Sequence, residues 1–233
     1  MIAVPAYEQS SDQEVAFQAV DYILRVLKKN MVFGMTWGRA MHEFVEQLAK
    51  DERLRSLSFQ NVKVVPFLGT PGAIQSDSWN TTTYSNTLAT KVGNLLHCAS
   101  YNLSAPMYVE GTKEKELIES IDEIAKVLHM AETADIALIG IGSMQDDSSI
   151  IKAEIRTKEE YKELVRKGAV GEIVGRIYDK NGQTVDEDLK RKMVGISLDK
   201  IAKIPVRVGM SYGKDKIEAI KGAIAGGLVN VLV

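Results

Sequence analysis

The sequence has 233 residues, of which 45% are hydrophobic and 26% charged. This composition excludes intrinsic disorder and fits one large α/β domain or two small ones. The net charge of −2 at pH 7 and the scattered Lys and Arg residues exclude a basic surface for DNA or RNA. No signal peptide and no apolar run of membrane-spanning length is evident, so we expect a cytoplasmic chain without a membrane partner. The single cysteine, Cys98, excludes an internal disulfide and disfavours structural zinc.

Helical periodicity and short apolar runs alternate along the chain. In chain order, the predicted elements are a helix from Ser11 to about Lys29, a strand at 31–35, a helix through 40–48, a strand at 62–68, a helix at about 82–96, a strand at 105–109, a helix with Leu117, Ile118, Ile121, Ala125 and Leu128 on one face, a strand at 134–140, a short helix with Tyr161, Leu164 and Val165 on one face, strands at 172–178 and 204–210, a helix through 217–224 and a strand at 228–233. Capping boxes at Ser11/Glu14 and Thr157/Glu160 mark two helix starts.

This order predicts βαβ units, and therefore a largely parallel, Rossmann-like sheet with helices on both faces. We treat residues 1–233 as a single domain. The segment at about 143–191 is more polar and irregular than its flanks, which leaves room for a small inserted subdomain.

Two turns share the pattern Gly-Met-hydroxyl-aromatic-Gly, at 34–38 and 209–213, and a third glycine turn covers 140–143. In parallel sheets, ligands bind where a glycine turn after a strand opens the next helix. Glycines allow close approach of an anion and the hydroxyl adds a donor, so the pattern predicts a site for a phosphate monoester. The alternative is conformational, because any strand-to-helix turn favours Gly and Ser.

Known nucleotide motifs do not fit these turns. Gly209 and Gly213 are separated by three residues where a P-loop needs four, and Asp215 stands where that motif needs Ser or Thr. The turn at 140–143 lacks the third glycine of a dinucleotide fingerprint. We therefore expect no ATP or NAD cofactor.

Two lysines, Lys214 and Lys216, open the helix after the second turn. Either ammonium could neutralise a phosphate, bind a sugar hydroxyl or, when desolvated, form an imine; both could equally be solvated surface groups. The three histidines have no partners at metal-ligand spacing, and we expect packed or surface roles for them and no metal site: His42, His97 and His129. The pair at 146–147 is a solvated acidic loop or a binder of sugar hydroxyls.

Several segments together resemble a known family: Phe33–Gly38, Val64–Gly69, Asp135–Ser143, Gly168–Ile173, and Gly213 through Lys216 to Ala219-Ile220. They are similar to the effector-binding domain of the SorC family of bacterial transcriptional regulators, which includes the central glycolytic gene regulator and the deoxyribonucleoside regulator. The resemblance covers nearly the whole chain. Its most specific parts are Gly-Ala-Val-Gly at 168–171 and Gly-x-x-Lys at 213–216.

The resemblance implies a fold like that of glucosamine-6-phosphate deaminase and ribose-5-phosphate isomerase. It implies a domain that senses a phosphorylated sugar within a dimer or tetramer, while a separate helix-turn-helix binds operator DNA. The family's phosphate-binding turn corresponds here to Gly34, Met35, Thr36, Trp37 and Gly38. The family's sugar-binding positions correspond to Asp77, Asn80, Gly140, Gly142, Glu172 and Lys216.

Two features depart from the family. No helix-turn-helix is evident in residues 1–30, so we expect a sensor domain without its DNA-binding domain. Met210-Ser211-Tyr212 stands where smaller residues are expected, which indicates a pocket shaped for an unusual ligand. The rival hypothesis is an enzyme, a sugar-phosphate isomerase or deaminase on the same fold. That chemistry needs a positioned general base, and the sequence shows no convincing carboxylate and histidine pair for it.

Overall fold

A computed structural model describes residues 12–71, 81–146 and 148–233. The strands in these residues are β1 (Val32–Met35), β2 (Lys63–Pro66), β3 (Ala99–Ser100), β4 (Ile136–Gly140), β5 (Gly142–Ser143), β6 (Ala169–Ile173), β7 (Arg176–Asp179), β8 (Val206–Met210) and β9 (Val231–Leu232). The helices are α1 (Asp12–Val26), α2 (Arg39–Leu48), α3 (Ser85–Leu95), α4 (Thr112–Glu119), α5 (Asp122–Glu132), α6 (Ser149–Lys152), α7 (Lys158–Arg166), α8 (Glu187–Lys192), α9 (Leu198–Ile201) and α10 (Ile217–Ala225). Short 3-10 turns cover Glu52–Arg55, Thr81–Thr83 and Lys214–Lys216.

The main sheet has six strands in the order β3-β2-β1-β4-β8-β9. Every neighbouring pair is parallel. From β1 the chain proceeds outward through β2 to β3, returns to place β4 beside β1, and proceeds outward in the other direction to β8 and β9. The predicted parallel α/β fold is confirmed, and the reversal between β1 and β4 creates a topological switch point.

Both faces of this sheet are buried, as the successive residues of β4 show. Ile136 and Leu138 pack into a cluster with the apolar residues of α1, α2 and α3. Ala137 and Ile139 point the other way and pack with residues of the second sheet, α7 and α10. A strand that is covered on both faces has a continuous apolar sequence, which is why the sequence pattern predicted β4.

The segment at 143–191 contributes most of a second, antiparallel sheet in the order β5-β6-β7. The predicted single strand at 172–178 is wrong: it is a hairpin that turns at Val174 and Gly175, whose φ angles are +53° and +68°. Two successive positive φ angles are typical of the tight turns whose twist matches antiparallel strands. Ile177 belongs to the same core cluster as Ile139 of the main sheet, so this segment packs onto the rest of the chain.

The predicted strand at 105–109 is also wrong. Ala99–Ser100 takes the edge position beside β2 instead. The later residues make only isolated bridges, from Pro106 to Thr70 and from Tyr108 to Met193. Pro106 has no N–H to donate to a strand ladder, which limits regular pairing there.

The predicted helix through 117–128 is two helices. It breaks at Ile121, which has extended backbone (φ −68°, ψ 122°) and a side chain 49% exposed. Acidic residues open α5, where they favour a new helix N-terminus. The buried residues of α5 are Ile124, Val127 and Ala131. Of the predicted residues, Leu128 is partly buried and packs against the cluster of Ile124 and Val127, and Ala125 is also only partly buried.

Other local predictions have mixed outcomes. The capping box of α7 is confirmed, because the Thr157 hydroxyl accepts from the Glu160 N–H and the Glu160 carboxylate accepts from the Thr157 N–H. Val165 is exposed, unlike the other two residues of its predicted face. The first helix ends at Val26, and Ser11, its predicted cap, lies outside the described residues. Across 12–71, 81–146 and 148–233, none of the helices has the length and apolarity needed to cross a bilayer.

Candidate functional site

A crevice of about 330 Å³ opens where β1, β4 and β8 end, at the switch point of the main sheet. The described residues that line it come from the ends of β4 and β8, from the turns that follow these strands and β1, and from the starts of α2 and α6. Others belong to β5, β6, the 3-10 turn at Lys214–Lys216 and the first residue of α1. They are Asp12, Trp37, Gly38, Arg39, Ala40, Gly140, Ile141, Gly142, Ser143, Ser148, Ser149, Glu172, Met210, Ser211, Tyr212, Gly213, Asp215 and Lys216. Open parallel sheets bind ligands at this position.

Two turns of the same conformation flank the crevice. Gly38 precedes α2 with φ +101°, and Gly213 precedes the 3-10 turn at Lys214–Lys216 with φ +109°. An L side chain strains the backbone at such angles, whereas glycine adopts them readily. The shared sequence pattern therefore encodes a shared backbone geometry at two strand ends.

The first two residues of each pattern belong to the strands, not to the turns. Gly34 lies inside β1, where a Cβ atom would come within 1.9 Å of a ring carbon of Phe67. Met35 is fully buried in the core. Both residues belong to strand β1, and neither of them lines the crevice.

Thr36 does not line the crevice, but it bonds to Gly140, which does, and so joins two strand ends. Its side chain is buried, and its Oγ1 accepts a hydrogen bond from the Gly140 N–H over 3.2 Å. The hydroxyl fixes the spacing between the turns after β1 and β4.

The N-terminus of α2 faces the crevice, because Trp37, Gly38, Arg39 and Ala40 all line it. The helix has ten residues, and its N-cap residue, Gly38, has no side chain that could cap the first N–H groups. The first-turn N–H groups of a helix and its macrodipole attract anions. This end of the crevice suits a phosphate.

Opposite α2, Lys216 is held in a small polar cluster. Its Nζ donates to the Ser143 Oγ over 3.0 Å, and the Ser143 hydroxyl donates to the Asp215 Oδ2, also over 3.0 Å. The Lys216 Nζ lies 3.7 Å from the same Asp215 oxygen. The ammonium therefore has a defined position at the edge of the crevice.

Glu172 of β6 completes this cluster. Its carboxylate accepts hydrogen bonds from the Gly175 N–H and from the Trp37 indole N–H. Burial raises the pKa of Glu172 to about 7, although these two bonds and the nearby Lys216 ammonium act to lower it. The close approach of Gly142 depends on its lack of a side chain, since a Cβ atom there would meet the Glu172 Oε2 at 2.8 Å.

A family model described as "Putative sugar-binding domain" matches residues 2–233. The chain belongs to this sugar-binding domain family. The transcriptional regulator LsrR of Escherichia coli O9:H4 is 29% identical over 219 residues, which cover 92% of this chain and 63% of that protein. The sorbitol operon regulator of Klebsiella pneumoniae is 28% identical over 211 residues, covering 90% of this chain and 64% of that protein.

Solved structures share the fold. The full-length sorbitol operon regulator SorC from Klebsiella pneumoniae has a TM-score of 0.86 at 24% identity, with 100% of this chain and 72% of that chain covered. A DeoR family transcriptional regulator from Listeria monocytogenes has a TM-score of 0.82 at 24% identity, covering 100% of this chain and 87% of that one. The resemblance to the SorC family is confirmed. The sugar-binding domain spans a little over three-fifths of the length of the curated relatives it matches.

The fold of this sugar-binding domain brings most of the sequence-predicted residues together. Six of them line the crevice, namely Trp37, Gly38, Gly140, Gly142, Glu172 and Lys216. Thr36 does not line it but bonds to Gly140, whereas Gly34 and Met35 belong to strand β1. Asp77 and Asn80, as well as Asp147, lie outside the described residues.

Among the polar residues of the crevice that were missed as site residues are three that closely follow a glycine. Arg39 is the first residue of α2, Ser143 ends the third glycine turn, and Asp215 stands between the two lysines. Their positions directly after glycine turns were the available signal. Lys214, the neighbouring lysine, is exposed and does not line the crevice.

In the parts of the chain that the structure describes, no group of three or more His, Cys, Asp or Glu residues could hold a metal ion. Cys98 is half-buried, and burial raises the pKa of its thiol to about 11, so this thiol has little thiolate character near neutral pH.

Proposed function

We propose that this domain senses a phosphorylated sugar on behalf of a transcriptional regulator. The observation that carries the proposal is the crevice at the switch point, with a helix N-terminus on one side and a cluster of Lys216, Ser143 and Glu172 on the other. An anion-attracting end and a hydrogen-bonding end within one crevice match the two ends of a sugar phosphate.

The phosphate would lie against the turn at Trp37–Gly38 and the first turn of α2. The unpaired N–H groups in the first turn of α2 supply the donors. The Gly38 N–H is itself bonded to the Thr83 carbonyl, and glycine at position 38 lets the anion approach the backbone. Arg39 adds a positive charge at the rim.

The sugar hydroxyls would lie against the opposite cluster. The Glu172 carboxylate and the Asp215 carboxylate accept hydrogen bonds, while the Lys216 ammonium and the Ser143 hydroxyl donate them. A hydroxyl both donates and accepts, so one sugar hydroxyl can satisfy groups of both kinds.

The regulatory role follows from the relatives. The two curated relatives reported above are named as a transcriptional regulator and an operon regulator, and both are longer than this chain. We infer that ligand binding here alters operator binding by a separate helix-turn-helix domain, within a dimer or tetramer of the full protein. Such a switch needs only about 1–3 kcal/mol of coupling between the two sites.

Differential scanning fluorimetry of this chain tests the ligand class. The ligands are glucose 6-phosphate, fructose 6-phosphate and ribose 5-phosphate, each compared with the same sugar without its phosphate. We expect at least one phosphorylated sugar to raise the melting temperature with concentration, since a ligand that binds only the folded state stabilises it by mass action. The unphosphorylated sugars should shift it much less. Equal shifts within every pair, or no shift at all, would contradict the proposal.

A further inference from the structure

The lining of the crevice contains more negatively charged than positively charged side chains. Among the described residues, the lining contains two cations, Arg39 and Lys216, and three carboxylates, Asp12, Glu172 and Asp215. A crevice that accepts one phosphate at the α2 end has little positive charge left for a second one.

The imbalance is greatest beside Lys216. Its ammonium lies 3.7 Å from the Asp215 carboxylate and is close enough to the buried Glu172 to affect the pKa of that group. Glu172 is only 7% exposed, so water screens its charge weakly. Once Glu172 is ionised, two carboxylates therefore outnumber the one ammonium at this end.

The described residues that lead from β5 into α6 supply no further cation. Residues 144–146 and 148 include Asp146 and neither Lys nor Arg.

We propose that the crevice binds sugar monophosphates, and that Glu172 and Asp215 exclude sugars carrying a second phosphate at the Lys216 end. This inference rests on the proposed function, because it assumes that one phosphate lies at α2. An uncharged sugar end satisfies both carboxylates by donating its hydroxyl protons. A phosphate dianion has no proton for either of them and would face two like charges, which disfavour a ligand strongly.

Calorimetric titration with matched ligand pairs tests the inference. The pairs are fructose 6-phosphate with fructose 1,6-bisphosphate, glucose 6-phosphate with glucose 1,6-bisphosphate, and ribose 5-phosphate with ribose 1,5-bisphosphate. For each sugar that binds, we expect the bisphosphate Kd to exceed the monophosphate Kd at least about tenfold. A bisphosphate that binds as tightly as its monophosphate would overturn the inference while leaving the proposed function intact. Absence of binding by all six sugars and by inorganic phosphate would overturn both.

Variants that remove a charge test whether the two carboxylates cause the discrimination between monophosphates and bisphosphates. Glu172→Gln and Asp215→Asn should each lower the ratio of bisphosphate to monophosphate Kd at least about threefold, because each removes one repulsive charge and keeps the side-chain shape. Glu218→Gln is the matched control: Glu218 is an exposed residue of α10 paired with Lys221, and it should leave the ratio unchanged. Asp215 is half exposed, so its variant serves if Glu172→Gln fails to fold. An unchanged ratio in the folded variants would overturn the assignment.

The effect of pH provides a second readout. Because burial raises the pKa of Glu172 to about 7, this carboxyl is largely protonated at pH 6 and largely ionised at pH 8. The Kd ratio of the unmodified protein should therefore rise between these pH values more than the ratio of Glu172→Gln does. Comparing the two proteins cancels the titration of the ligand phosphates themselves. Equal rises in both proteins would overturn the role of Glu172.

Discussion

The Lys216 ammonium donates a hydrogen bond to the Ser143 hydroxyl, over 3.0 Å between Nζ and Oγ. The two residues are 73 positions apart, and the contact joins the turn after β8 to the end of β5. Ser143 in turn donates to Asp215. An otherwise flexible lysine is thereby held in place, which lowers the conformational entropy that it would lose when a ligand binds.

This placement predicts different effects for the two neighbouring lysines. Lys216→Ala removes a charge-assisted contact of about 1.5–3 kcal/mol and should weaken sugar-phosphate binding roughly ten- to a hundredfold. Lys214→Ala removes the same charge from an exposed position outside the crevice and should change the Kd less than threefold or so. Calorimetric titration of both variants with the best sugar phosphate measures the difference. Equal losses would reduce both lysines to a general positive potential.

A second prediction concerns the packing of Gly34. Gly34→Ala places a methyl group within 1.9 Å of the Phe67 ring and should destabilise the fold by about 1–3 kcal/mol or more. Gly111→Ala is the control, because a Cβ atom at Gly111 meets nothing within 4 Å. Since Gly111 is the N-cap of α4, where Gly is favoured over Ala, this variant should cost about 1 kcal/mol at most. Urea denaturation gives both values. Combining Gly34→Ala with Phe67→Leu should recover part of the loss, and no recovery would argue against the ring as its cause.

A third prediction follows from the buried Glu172 carboxyl. Its pKa is about 7 in the folded protein against an ordinary value of 4.5, so the folded state retains this proton at pH values where the unfolded state has lost it. The stabilising contribution is therefore complete below about pH 4.5 and is lost as the pH rises to about 7. Relative to Glu172→Gln, the unmodified protein should lose about 2–3 kcal/mol of unfolding free energy between pH 5 and pH 8. Urea denaturation at both pH values checks this, and parallel changes in the two proteins would contradict it.

The fourth prediction concerns the start of α7. Thr157→Ala removes both the hydroxyl that caps the helix and its reciprocal capping box, at a cost of about 1 kcal/mol. Thr157→Ser keeps the capping oxygen and should cost less. Thermal denaturation of the two variants compares them, and equal destabilisation would show that the Thr157 methyl group, not the cap, is what matters.

The sequence patterns identified the parts of the fold where local and tertiary preferences agree. The buried strand β4 reads as a continuous apolar run because both of its faces are covered, and Gly38 and Gly213 adopt the positive φ angles that turns of this kind require. These same features located the crevice, including the α2 end at which we propose that a phosphate binds.

The predictions that were wrong or incomplete have identifiable physical causes. Val174 is a β-branched residue at φ +53°, a conformation that such residues rarely adopt, so Gly175 was the one turn signal between β6 and β7. The apolar residues at 117–128 keep a helical period across a break, and periodicity alone does not reveal that Ile121 is exposed. The Ser143–Asp215–Lys216 cluster depends on contacts between turns that are distant in the chain, which no local pattern encodes.

The pairing of β1 with β4 also constrains how the protein folds. The Val32 N–H binds the Asp135 carboxylate across 103 positions, and the Gly140 N–H binds the Thr36 hydroxyl across 104. Closing a loop of this length is entropically costly and slow, so the centre of the sheet is expected to form late relative to the local helices. Since the crevice lies at this junction, a ligand recognises only chains that have completed this pairing. Ligand present during refolding should leave the folding rate nearly unchanged and slow the unfolding rate instead.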